Sequence, residues 1–119
     1  MAAYQVAWMV SLAHHCPSLL DVLADHLEAN TDEVNETGLM SEIGSWARRA
    51  AAAEPTADLI RLLAILEEAY LDSRLRDLVV EVVEEVPRPD QGGQKFRLML
   101  GPNLTASLGR VDKARGITT

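Results

Sequence analysis

The stretch LRDLVVEVVEEV, residues 75–86, sets the narrowest limit on what this chain folds into. Leu75, Leu78, Val79, Val82, Val83 and Val86 recur at steps of three and four, which is the period of one helix face. Valines suit strands, but a strand asks for strict alternation. Here Arg74, Asp77, Glu81, Glu84 and Glu85 take the outer face of a helix instead. A helix with one apolar stripe has to bury it against another element.

The same period marks Leu59, Leu62, Leu63, Leu66 and Tyr70, widened by Ile60 and Ile65, and again Leu39, Met40, Ile43, Trp46, Ala47 and Ala50. Residues 3–15 are apolar almost all round (Tyr4, Val6, Trp8, Met9, Val10, Leu12), which predicts a central or covered helix. That helix ends before Pro17, because the residue ahead of a proline disfavours helical geometry. Pro17 suits the first turn of a second helix, with Ser18-x-x-Asp21 as a variant capping box and Leu19, Leu20, Leu23 and Leu27 as its stripe. NTDEVNETG reads as a loop, and Pro55 as the opening of the fourth helix. Asp72 or Ser73 is the expected cap of the fifth. PRPDQGGQ, residues 87–94, is the strongest break, followed by a short helix from Lys95 to Leu100 and at most one more turn at Leu104 and Leu108.

The expectation is an all-α fold: a compact bundle of five to six antiparallel helices in one domain over residues 1–119. Residues 1–54 form its acidic half. Residues 55–108 form a helical hairpin, HEAT-like in kind, plus a C-terminal helix, and 109–119 a frayed basic tail. No internal repeat is present, so a bundle is expected over a solenoid. At 119 residues with 48% apolar and 24% charged, the chain can fill one core and is not disordered. One cysteine cannot close an intramolecular disulfide. No basic residue precedes the first apolar stretch, and no apolar run reaches the roughly 18–20 residues of a bilayer span. A cytoplasmic location is the corresponding expectation.

Charge is more telling than composition. No Lys or Arg precedes Arg48, while Asp21, Asp25, Glu28, Asp32, Glu33, Glu36 and Glu42 all do. Acids and bases balance from residue 48 onward, so the whole net charge of −7 sits in the first 47 residues. Such a field repels nucleic acid and anionic membrane and attracts basic partners. Asp21, Asp25, Glu28 and Asp32 are spaced four, three and four apart, which puts them on one face of a helix that runs that far. Like charges so placed are mildly destabilising, so the ridge is not there for stability.

His14, His15 and Cys16, with His26 further on, raise the question of a metal or thiol site. Three adjacent side chains on a helix point in three directions, and zinc needs three or four ligands converging on one point. A Cys16 thiolate would face nearby acids with no base to stabilise it. A buried corner cysteine is the simpler reading. No phosphate-cradling glycine loop, G-x-S-x-G or H-E-x-x-H is present, and no catalytic residue, metal or cofactor is assigned.

The run HLEANTDEVNETGLMSEIGSW (26–46), followed by ILEEAY (65–70), VVEEVP (82–87) and LGPNL (100–104), resembles a family of small, poorly characterised bacterial all-helical proteins. The likeness covers most of residues 16–108, through the order of short motifs. Glu36 and Thr37 depart from it, where Pro-His is expected. The resemblance implies a helical domain and an immunity-type role against bacterial toxins. Together these readings point to a non-enzymatic inhibitor of the immunity or antitoxin kind that binds a basic toxin. Asp21, Asp25, Glu28, Asp32, Glu33 and Glu36 would steer the encounter, and Met40 or Trp46 would anchor it. The alternatives are a structural homodimer or scaffold piece, and a metal-binding or Cys-dependent enzyme.

Overall fold

α1 (Ala3–His15) buries only Met9, Leu12 and Ala13, although it is apolar on nearly every side. Tyr4 and Val10 remain 43% exposed on its outer face. The helix is therefore peripheral, not central as its composition suggests. The computed structural model describes residues 3–54 and 56–116, so the expected role of Pro55 and the end of the tail lie outside the described residues.

A 3₁₀ turn at Pro17–Leu19 bends the chain by 116° into α2 (Leu20–Ala29). The capping box is not made. The Ser18 N–H and hydroxyl both donate to Asp58 Oδ2, at 2.9 and 2.6 Å, and tie this corner to the next half of the chain. α3 (Glu36–Ala52) starts earlier than its glycine suggests, because the Asn35 side chain accepts the Gly38 N–H and caps it. α4 (Ala57–Ala69) is capped by Thr56, whose hydroxyl accepts the Leu59 N–H. Leu59, Leu62, Leu63 and Leu66 fall inward, as their spacing requires.

α5 (Arg76–Val83) follows a turn built on Asp72, whose carboxylate accepts the Arg74 N–H at 2.9 Å. Neither Asp72 nor Ser73 caps the helix itself; the cap position is Leu75. α5 packs chiefly on α3, and much less on α4, its neighbour in sequence. The expected 55–86 hairpin is thus not the main packing unit. The reason lies at Gly44, where an added Cβ would stand 2.7 Å from Glu85 Cγ and 3.2 Å from Val82 Cα. Only glycine lets the two helices come so close.

α6 (Gln94–Leu98) is one short turn, and α7 (Pro102–Ala114) is a full helix where one turn and a frayed tail were expected. Two remote acids explain α7. Glu67 on α4 accepts the Asn103 and Leu104 N–H groups at 2.7 and 3.0 Å, capping the new helix from outside it. At the other end Asp112 is buried and accepts from Arg97 at 2.7 and 3.0 Å. Arg115 lies 3.9 Å from the same carboxylate and donates to the Val86 and Glu84 carbonyls, while Arg97 also donates to Pro87 O. Seven α-helices result, with no strand among the described residues. They share one buried apolar cluster. The radius of gyration, 13.7 Å, is that of one compact domain of this length. Among the described residues no single helix is long and apolar enough to cross a membrane.

Removing Asp112 strands a largely buried guanidinium. Asp112→Ala is expected to cost about 3 kcal/mol in a urea titration, near the low end for a broken buried pair because Arg97 keeps Pro87 O. The Asp112 carboxyl is held below its ordinary value, chiefly by the Arg97 hydrogen bonds and against its burial. Its stabilisation is therefore complete above the unfolded value of about 3.9 and fades as pH falls towards the folded one. Stability of Asp112→Asn is expected to fall less steeply than that of the parent below about pH 4.

Candidate partner-binding face

α2 is amphipathic in an unusual way, because its most buried side chain is a histidine. His26 is 1% exposed, on the inward face with Leu19 and the half-buried Leu23. Its Nε2 accepts the Asn35 N–H at 3.0 Å, so Nδ1 carries the proton and donates to Glu42 Oε2 at 2.5 Å. One ring thus joins the end of α2, the start of α3 and the second turn of α3. Asn30 closes α2 by donating from its side chain to His26 O.

Between these fixed points the chain makes a strained turn. Thr31 and Asp32 have φ of 57° and 63°, in the left-handed region that β-branched threonine disfavours. Such residues persist where their surroundings fix them, at roughly 1 kcal/mol or more each. The His26 clamp supplies that constraint, together with the Asp32 N–H on Leu27 O at 2.7 Å.

The structure divides the expected ridge. Asp21, Asp25 and Glu28 do share the exposed side of α2. α2 ends at Ala29, so Asp32 is not on that face but in the strained turn, with Glu33 exposed beside it. Glu36 lies half-buried in the first turn of α3, where the helix dipole favours a negative charge. The acids form a bent edge across two elements instead of one straight row.

Met40 cannot anchor a partner from this fold, because it is 0% exposed in the core. Its place in the apolar stripe of α3 outweighs its closeness to the acids in sequence. Trp46 is half-buried against the same core. The apolar side chain that does stand among the acids is Leu20, 55% exposed beside Asp21. A crevice of about 300 Å³ between α2 and α3 adds Glu42 to the edge, beside Asp25, Ser41 and Ser45, with Arg49 on its wall. Sequence spacing pointed to Leu20 as core. The available sign is His26 itself, seven residues after the buried Leu19 and so on the same helix face.

The histidine–cysteine corner does not converge. His14 and His15 are exposed, with rings edge to face at 5.7 Å. Cys16 is 0% exposed, and burial followed by the Asp58 carboxylate pushes its thiol up, with Arg61 opposing. His26 is engaged by Glu42 and Asn35. Among the described residues no three His, Cys, Asp or Glu side chains are grouped to hold a metal.

Comparison with protein-family models, with curated proteins and with solved structures gives no match to this chain.

Replacing His26 by alanine leaves both the Asn35 N–H and the inner side of Glu42 without partners. A loss of about 2 kcal/mol is expected by denaturant titration, chiefly from the cavity left by the buried ring and in part from the orphaned Asn35 N–H. Amide exchange at Asn35 should accelerate well beyond that at α5. Equal acceleration at both sites would mean that the clamp has no local role.

Proposed function

We propose that the chain is a non-enzymatic protein-binding module, an inhibitor of the immunity or antitoxin kind. It neutralises a basic bacterial toxin through the bent acidic edge of α2 and the α2–α3 turn. One observation carries the reading. Asp58, Asp72 and Asp112 each pair with arginine within 4 Å, whereas Asp21, Asp25, Glu28, Asp32, Glu33 and Glu36 have no Lys or Arg partner among the described residues. Five of the six are exposed, and no Lys or Arg precedes Arg48 in the chain, so this edge carries uncompensated charge. Unneutralised charge on one edge raises the on-rate of a basic partner.

The clamp sharpens this. A turn held in one shape loses little freedom on binding, so its charges are set before the encounter. Leu20, next to Asp21, supplies an apolar contact in the midst of the charge. The acids repel phosphate backbones and anionic lipid, so nucleic acid and membrane are not the proposed partners.

The test is affinity capture from the source cell at low and moderate salt, followed by kinetics on the retained protein. One basic partner weakened by salt is expected. The double variant Asp25→Lys/Glu28→Lys should associate roughly tenfold more slowly at low salt, with a flatter salt dependence. An unchanged on-rate would remove this edge from the interface.

The uncovered outer faces of α1 and α4 favour a second reading, a structural homodimer. Tyr4, Val10 and Ile60 are exposed there at 43%, 43% and 59%. Sedimentation across micromolar concentrations separates the two. A concentration-independent monomer excludes an obligate dimer.

A further inference from the structure

Four of the nine arginines make ion pairs among the described residues, and Arg76, Arg88 and Arg110 are among those that do not. Arg61, Arg74, Arg97 and Arg115 pair with aspartates. Arg48 and Arg49, adjacent at the end of α3, make no ion pair among the described residues. The one side-chain bond of Arg48 is to Ser45 Oγ at 3.2 Å. Both line a cleft of about 450 Å³ between α3 and the 87–93 loop, with Gln91 and Gly92 on the facing wall and Pro87 and Phe96 beside them. No acid lines this cleft, although acids outnumber Lys and Arg by 18 to 11 in the chain.

The facing wall is rigid. The Gln91 and Gly93 N–H groups both donate to Arg88 O at 3.0 Å, and Arg97 Nε holds Pro87 O at 3.1 Å. At Gly93 a Cβ would stand 2.0 Å from Pro87 O, so the turn closes only with glycine. The negative end of α3 opposes an anion here. Lys95 offsets it by donating to Ala53 O, the last carbonyl of that helix end, at 2.6 Å. On the far side of Arg48, a neighbouring cleft carries Arg88 and Arg115 but also Glu84 and Glu85, which compete for any anion. The acid-free side is the one suited to a ligand.

We propose that this cleft binds a phosphate monoester attached to a compact apolar body. Two unpaired guanidiniums match a dianion with three acceptor oxygens better than a carboxylate, which has one charge and two oxygens. Gln91 offers a further amide donor, and the Pro87–Phe96 side takes the apolar body. The volume suits a small molecule. The same chemistry could be presented by a free metabolite or by a phosphorylated side chain of a protein. Arg49 borders both this cleft and the crevice of the acidic edge, but the proposal does not depend on the toxin-inhibitor reading.

The experiment is a backbone and side-chain amide NMR titration of the full chain with phenyl phosphate, inorganic phosphate and benzoate. Phenyl phosphate is expected to shift Arg48, Arg49, Gln91 and Gly92 at millimolar concentration, at least fivefold more tightly than either other probe. Arg48→Gln/Arg49→Gln should abolish those shifts with the spectrum otherwise preserved. Arg76→Gln, on α5, should leave them intact. A phosphotyrosine peptide binding more tightly than phenyl phosphate would identify a protein source, and weaker binding a free small molecule. Absence of shifts, equal binding of benzoate, or retained binding in the double variant would overturn the proposal.

Discussion

The contact on which the other packing rests is the close approach of α3 and α5 at Gly44. Glu85 and Val82 occupy the space that any side chain there would need. With α5 on α3, α7 packs against both α4 and α5, and α6 lies against α3. The apolar residues of the seven helices then meet in or against one cluster, α2 through Val22 and Leu23. Leu, Val and Ala fill that cluster, so it has little shape specificity of its own. Polar groups supply the register.

Those polar groups work over long separations in sequence. Ser18 finds Asp58, Glu67 caps α7, and Arg97 and Arg115 hold Asp112. Each bond ties an element that local preference would place only loosely. His26 does the same at the α2–α3 turn, where it secures a conformation that Thr31 and Asp32 would not choose alone. Four short runs of the sequence coincide with these ties. HLEAN contains the clamp, ILEEAY the Glu67 cap, VVEEVP the Gly44 neighbours and LGPNL the capped helix start.

This explains which parts of the fold are legible in the amino-acid order. α3, α4 and α5 stand out because their stripes are uniformly apolar. α7 is hidden because its inward face carries Ser107 and Asp112, and an acid in the core makes sense only beside arginines. Leu20 reads as core and is exposed, since the place it would fill goes to His26. Segregation of the acids is visible in sequence, but their lack of ion pairs is not, because pairing depends on which arginines the fold brings near. Met40 illustrates the converse, an apolar residue close to the acids in sequence and turned away from them in space. The arginine cleft has no sequence signature either, as its walls come from residues about forty apart.

Cys16 has a consequence outside binding. It is the single thiol of the chain and is fully enclosed where α1 meets the Pro17 turn. A folded molecule has no thiol to offer to an oxidant, an alkylating reagent or a second copy. Labelling of that thiol therefore runs only as fast as the corner opens, which makes the residue an internal clock for opening. Covalent dimers found in an aged preparation would date from molecules that had already opened there.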